Sequence, residues 1–550
     1  MTPERQNSDQ ARTGHRLGFL LLALAGLGLF FFRLGTPGLM DPDEGRYAEI
    51  AREMWVLRDW LIPHLNFLPY LEKPPLVYWL TALSFGAWGC TEWAARLPVA
   101  LSALGGIFGA YWLGRAFWGA GPGLVSALIL TTSLGYVVLG RVLTLDMTLA
   151  LFLNLGIGLG YLALSRERRE LLPWAYLALA LAVLSKGPVA LVLAGLIWGV
   201  WALIARRPLI RPLWHPGGLL LLALVSLPWF VWVAWQYPDF LRFFVWEQHF
   251  GRFLTASFHH QQPVYYYLPV LFGLLLPWGW LLPWALGSRR PDPQGDRLFL
   301  WVWAGVILLF FSLSRGKLAP YILPALLPLA LLLGEALHGL TESGRHLWAS
   351  RGLTLSLAVW ALTAWVLVGL YFRPPAFLAP EWARLAPLSP YLPLGLIILA
   401  LTPTAALIWR RLTVLLLGAL LFGTLLPGGI EGISQRRSPR EMGLALKSHW
   451  QPGAALIGLQ LYSQGVSFYS GQVFHLLDFP SELDFGRRLD PGTGLFFADP
   501  AAMTAFVHSR ALTFFFLKDK AFPRLQGLLA GNFQTLARYK DCLLVAYKGK

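Results

Sequence analysis

Residues 40–49 read Met-Asp-Pro-Asp-Glu-Gly-Arg-Tyr-Ala-Glu, a knot of carboxylates with one arginine in a chain of which only 13% is charged. Ionisable groups at the edge of an apolar segment are expensive to keep there and mark functional sites. Asp43 has Arg46 three residues on, on the same side of a helix. The carboxylate of that pair can accept a proton from an attacking group or position an amine or hydroxyl. Asp41, Pro42 and Glu44 read instead as a helix start, with Asp41 as the cap, Pro42 in the first turn and Glu44 closing a capping box. Gly45, inside the motif, would loosen that first turn.

Further candidates are spread along the chain. In Glu72-Lys73-Pro74-Pro75, Lys73 is held by two following prolines, as a phosphate ligand requires or as a lysine snorkelling among anionic lipids would allow. Asp146 follows Arg141 and Thr144 where an apolar run begins, as a reacting acid or a helix cap. Lys186 in Ser-Lys-Gly-Pro and Lys317 in Ser-Arg-Gly-Lys sit in tight turns, either as phosphate ligands or as anchors. The stretch 246–253 carries Glu247, His249 and Arg252, followed by His259-His260 and Tyr265-Tyr266-Tyr267. His249 with Glu72, His259 or His260 could hold a divalent metal such as zinc, although no ligand spacing enforces one. Cys90 and Cys542 form neither a disulfide framework nor a metal motif. Gly-x-x-x-x-Gly-Lys-Ser/Thr is absent, which argues against nucleotide-driven chemistry.

The elements that must position these residues lie in a membrane. A 550-residue chain with 56% hydrophobic content is a multi-span membrane protein. Its net charge of +16 sits largely in short arginine clusters between apolar runs, which is a topology signal and not a nucleic-acid surface. Spans begin near Leu17, Leu97, Gly123, Met147, Leu172, Val189, Gly218, Val264, Leu298, Pro320, Leu353, Tyr391 and Leu412, thirteen in all. The run 75–89 is too short to span and reads as a helix lying at the interface. With the N-terminus inside, Arg115, Arg166 to Arg169, Arg206-Arg207, Arg289-Arg290, Arg345 and Arg410-Arg411 all fall on the inner side. Asp43, Glu72, Lys73, Asp146, Lys186, Glu247, His249, Arg252 and Lys317 then fall on the outer side. The odd span count puts residues 431–550 outside as well. There, short apolar runs at 455–459, 494–497, 512–517 and 543–547 alternate with a helix-like piece at 499–508, the pattern of a small α/β domain.

Carboxylates, several cations and an interfacial helix on one membrane face describe an enzyme acting on a phosphorylated lipid, with lysine and arginine clamping the leaving phosphate. The motifs Pro42-Asp43-Glu44-x-Arg46-Tyr47-Ala48-Glu49, Glu72-Lys73-Pro74, Glu247-x-His249-x-x-Arg252-Phe253 and Gly316-Lys317-Leu318-x-x-Tyr321 resemble those of the bacterial lipid A aminoarabinose transferases. That family belongs to the polyprenyl-phosphate-dependent glycosyltransferases of the GT-C membrane fold. In residues 431–550 the likeness is confined to Ser438-Pro439-Arg440-Glu441-Met442.

The resemblance implies an all-α membrane domain over residues 1–430, with a catalytic outer loop at 34–96, periplasmic juxtamembrane helices and a C-terminal α/β periplasmic domain over 431–550. It implies inverting transfer of 4-amino-4-deoxy-L-arabinose from undecaprenyl phosphate to a lipid A phosphate at the periplasmic face of the bacterial inner membrane, which confers polymyxin resistance. Asp43, Asp146 and Arg46 are its expected catalytic residues. Lys73, Arg252, Tyr70, Tyr321, Lys186 and Lys317 are expected around the donor phosphate, and Glu72 and His249 at any metal. Transfer to protein hydroxyls or to another envelope glycan stays open as the alternative.

Overall fold

Long runs of leucine, alanine and glycine without charge can satisfy their backbone in hydrocarbon only as helices. The computed structural model describes residues 3–208, 213–251, 261–287, 292–342, 350–375, 388, 391–479 and 482–548. Each of the thirteen expected spans is helical there. Among the described residues, eight helices are by themselves long and apolar enough to cross a membrane: Glu92–Trp118, Asp146–Ser165, Pro216–Gln236, Asp296–Leu313, Ala319–Leu340, Arg351–Phe372, Tyr391–Trp409 and Leu412–Arg437. A ninth crossing is available if Val264–Leu274 and Trp278–Gly287, bent by 109°, act as one span. Arg16–Phe31, Ala120–Thr132 and Val189–Ile204 are apolar but shorter, and so is Leu76–Trp88, the segment read as interfacial.

The chain divides into two units. The first comprises residues 1–34, 97–232 and 241–430 and is a bundle of apolar helices. Asp146–Ser165 packs against Leu172–Lys186, Ala120–Thr132 against Leu326–Glu342, and Arg351–Phe372 against Tyr391–Trp409. Backbones meet closely in this bundle, since a Cβ on Gly334 would lie 2.5 Å from the Ser126 backbone nitrogen. Small residues at helix contacts are what allow that approach.

The second unit comprises residues 35–96, 233–240 and 431–550. It contains the helices Asp43–Leu57 and Leu76–Trp88, a hairpin of β1 (His64–Leu65) and β2 (Leu68–Pro69), and a five-stranded sheet. The sheet is built from β3 (Ala455–Leu459), β4 (Phe474–Leu477), β5 (Leu512–Lys518), β6 (Asn532–Tyr539) and β7 (Cys542–Lys548) in the order β4-β3-β5-β7-β6. β3 runs parallel to β4 and β5, whereas β7 pairs antiparallel with β5 and β6. β3 is buried along its whole length, as a parallel central strand must be, and its sequence is accordingly unbroken Ala-Leu-Ile-Gly-Leu. Ile457, Phe515, Leu517 and Val545 form the core with Met503 and Val507 of the helix Pro500–His508. Asp499 caps that helix, accepting the Ala502 N–H at 2.7 Å. The run 494–497 is not a named strand. It contributes one bridge, Phe496 to Leu476.

Candidate active site

In the second unit, the knot of charge is where a loop becomes the helix Asp43–Leu57. Pro42 precedes the helix and no side chain caps it, so Asp41 is not the cap that the spacing suggests. Its carboxylate turns instead to the start of the short helix Gln464–Ser470, where it accepts from Ser463 Oγ and from the Gly465 N–H at 3.0 Å. Burial pushes Asp41 up to about 6, and those two hydrogen bonds hold it from going higher. Glu44 does not close a capping box on Asp41. It reaches one residue further back, accepting the Met40 N–H at 3.1 Å, and binds Arg96 through both oxygens at 2.8 Å. Glu44 and Arg96 are each 1% exposed, and Arg96 also donates to the Pro37 and Gly38 carbonyls at 2.6 and 3.0 Å. Gly45 does not loosen the turn. A Cβ there would lie 2.0 Å from Asp41 Oδ1 and 2.7 Å from the Gly465 nitrogen, so the glycine is required for close approach.

With its neighbours so fixed, Asp43 is the open member of the knot, its side chain 58% exposed and 3.4 Å from Arg46. Arg46 spans from Asp43 to Glu482, whose carboxylate lies 2.7 Å from its other terminal nitrogen. Glu482 in turn accepts from Gln464. Burial pushes Glu482 up, and Arg46 opposes the shift. Tyr70 is buried with its hydroxyl donating to Glu72 at 3.2 Å. Burial, then the Glu72 charge, push that phenol well above its ordinary range. Lys73 follows, half-buried. Glu482, Gln464 and Arg96 are site-building residues that sequence reasoning did not find, because no local pattern announces their partners: Arg96 lies 52 residues from Glu44, Gln464 lies 18 from Glu482, and Glu482 lies more than four hundred from Arg46.

In the first unit, Asp146 opens the helix Asp146–Ser165 and Lys186 closes the helix Leu172–Lys186. The two helices pack together, so the acid at one start and the cation at the other's end form an ion pair. Each end also suits its helix dipole. Lys186 lies 4.5 Å over the ring of Tyr321, a cation–π contact. Three residues singled out separately by sequence thus form one cluster. Lys317 is 4% exposed and donates to the backbone carbonyls of Gln262 and Ser314. Glu247 and His249 lie in the π-helix Arg242–Gly251, a rare form that often accompanies functional sites. The His249 side chain and all of Arg252, His259 and His260 lie outside the described residues.

Among the described residues no group of three His, Cys, Asp or Glu side chains could hold an ion; the histidines expected to join Glu72 at a metal, the His249 side chain, His259 and His260, lie outside the described residues.

Residues 72–232 match the family model described as dolichyl-phosphate-mannose-protein mannosyltransferase. The undecaprenyl phosphate-alpha-4-amino-4-deoxy-L-arabinose arabinosyl transferase of Edwardsiella ictaluri is 35% identical over 76% of this chain and 78% of its own length. The crystal structure of ArnT from Cupriavidus metallidurans bound to undecaprenyl phosphate superimposes with a TM-score of 0.84 at 27% identity, covering 96% of this chain and 97% of that one. The oligosaccharyltransferase AglB from Archaeoglobus fulgidus shares the fold alone, with a TM-score of 0.50 at 12% identity, covering 94% and 71%.

Proposed function

The chain belongs to the family of undecaprenyl phosphate 4-amino-4-deoxy-L-arabinose arabinosyl transferases, and from that we propose how its own residues carry out the transfer. The enzyme moves 4-amino-4-deoxy-L-arabinose from undecaprenyl phosphate to an acceptor, and we assign the acceptor as a lipid A phosphate. The observation that carries this reading is the likeness to the Edwardsiella enzyme over three-quarters of both chains. It is joined by near-complete superposition on a relative whose structure holds undecaprenyl phosphate.

An oxygen of the acceptor phosphate attacks the anomeric carbon of the sugar. The bond from that carbon to the donor phosphate oxygen breaks, and the configuration inverts. Undecaprenyl phosphate leaves with the bonding pair, so its developing negative charge is what the protein must stabilise. We assign that task to Lys73, Arg252, Tyr70, Tyr321, Lys186 and Lys317, and the catalytic roles to Asp43, Asp146 and Arg46. A phosphate nucleophile is already ionised near neutral pH and has no proton to surrender. Asp43 therefore acts by position, its exposed carboxylate orienting the sugar ammonium or the acceptor, while the Glu482–Arg46 pair fixes its surroundings.

We place the chain in the bacterial inner membrane with thirteen spans, its reacting residues and C-terminal α/β domain facing the periplasm. The arginine clusters of the inner loops support that orientation. Capping lipid A phosphates with a cationic sugar lowers the surface negative charge, which would confer resistance to polymyxin. Transfer to protein hydroxyls, which the mannosyltransferase family model would suggest, rests on residues 72–232 only. Expressing the chain in a strain lacking its own aminoarabinose transferase should restore aminoarabinose on lipid A by mass spectrometry. Lipid A left unmodified, with the protein present in the membrane, would refute the acceptor.

A further inference from the structure

We infer that Glu53 and Asn66 are positioning residues for segment 70–73, acting through the hairpin 64–69; this rests on the assignment of Tyr70 and Lys73 to the donor phosphate. β1 and β2 pair with His64 opposite Pro69 and Leu65 opposite Leu68, leaving Asn66 and Phe67 as a two-residue turn. Both have positive φ, 53° and 61°. A tight hairpin of this kind demands that conformation at both central positions and is ordinarily made by Asn-Gly. Asn tolerates it, but a phenylalanine there is strained. A two-by-two hairpin with Phe in the glycine position does not hold itself.

Two buried groups hold it. Glu53, 0% exposed on the helix Asp43–Leu57, accepts the Phe67 N–H at 2.8 Å. Asn66, 1% exposed, donates to the Phe474 carbonyl and accepts the Phe474 N–H, both at 2.9 Å, and so binds β4 as another strand would. The exit of the hairpin is the donor segment itself. Tyr70 N–H donates to the Pro63 carbonyl at 2.7 Å, the Tyr70 hydroxyl reaches Glu72, and Lys73 follows. On the other side, a Cβ on Gly486 would lie 2.5 Å from the Pro69 carbonyl oxygen, so the helix Asp484–Leu489 lies directly against β2. Displacement of the turn therefore moves residue 70 onward. Glu53 is fixed in its turn, packed beside Glu49, which Arg52 grips through two 2.7 Å bonds. Burial, then Glu49, push the Glu53 carboxyl well above the carboxylate range, so an amide can replace it.

The test uses the full chain in detergent or lipid. It reads amide hydrogen exchange across 64–73 by mass spectrometry together with KM and kcat for the undecaprenyl phosphate-linked donor. Glu53→Ala should speed exchange in 64–73 and raise the donor KM about tenfold with little change in kcat. Glu53→Gln keeps the acceptor oxygen and should behave as the parent. Phe67→Gly added to Glu53→Ala should restore both readouts, because glycine takes the turn unaided. A Glu53→Ala protein with parental exchange would overturn the inference, as would failure of Phe67→Gly to rescue a variant that still melts cooperatively. Lys73→Ala should raise KM without altering exchange. If it leaves KM unchanged, the donor assignment falls and the positioning role with it. An unchanged KM in Glu53→Ala beside a raised one in Lys73→Ala would overturn this inference alone.

Discussion

Gly45→Ala sets two physical effects against each other. Within a helix, alanine is better than glycine by about 1 kcal/mol, so propensity predicts a more stable protein. The space does not exist: the added carbon would meet Asp41 Oδ1 at 2.0 Å and the Gly465 nitrogen and Cα at 2.7 and 3.0 Å. A carboxylate oxygen can rotate away only by giving up its bonds to Ser463 and Gly465, and backbone cannot rotate away. Overpacking of this kind costs about 1–3 kcal/mol, which less the helix preference leaves a net loss of up to about 2 kcal/mol and a melting point lower by up to about 8 °C. Activity should fall further than stability, because Asp43 and Arg46 flank the site and misplacement by an ångström costs on the order of 100-fold in rate. The 26 tryptophans give an intrinsic-fluorescence melting curve, to be read beside the transfer rate. Gly195→Ala and Gly199→Ala, where nothing lies within 4 Å of the new carbon, serve as controls and should melt at or above the parent temperature. A Gly45→Ala protein as stable and as active as the parent would refute the close-approach argument.

Other predictions follow from the same contacts. Arg96→Ala strands the Glu44 carboxylate in the interior and should destabilise by about 3–5 kcal/mol, whereas Glu44→Gln with Arg96→Met should recover most of it in a melting experiment. Asp41, raised from its ordinary 3.8 to about 6, binds its proton more tightly when folded, so its contribution to stability is complete below 3.8 and is lost as pH rises through 6. Asp41→Asn should flatten that part of the pH–stability curve, and a curve identical to the parent's would contradict the burial of Asp41. Lys186→Met should cut transfer by about 100-fold. Adding Asp146→Asn should restore melting temperature but not activity. Recovery of activity in the double variant would make the pair an anchor and nothing more.

How much of this was legible in sequence depended on the range of the interaction. Apolar runs specify helices locally, and all thirteen were helical where expected. β3, β5 and β7 were readable because strands buried on both faces are continuous in hydrophobic residues. β6 was missed because it is a partly exposed edge strand, Asn-Phe-Gln-Thr-Leu-Ala-Arg-Tyr, broken by an irregularity between Thr535 and Ala537. β4 is only four residues long. The sorting of the charged knot into structural acids and one open acid followed from spacing, but the partners did not. Asp41 looked like a cap because the helix begins beside it, and its true contacts, Ser463 and Gly465, lie more than four hundred residues on. Asp146, Lys186 and Tyr321 were each visible as a type in a place, while their meeting depended on how three helical segments pack.

The central claim is tested most directly by incubating the purified chain with undecaprenyl phosphate-linked aminoarabinose and lipid A, and following lipid A by mass spectrometry. The parent should add the mass of one aminoarabinose residue per modified phosphate; Asp43→Ala, folded by its melting curve, should add none, and Lys73→Ala, likewise folded, should add little at donor concentrations near the parent KM. Unmodified lipid A with the parent protein, or full transfer by both variants, would contradict the account.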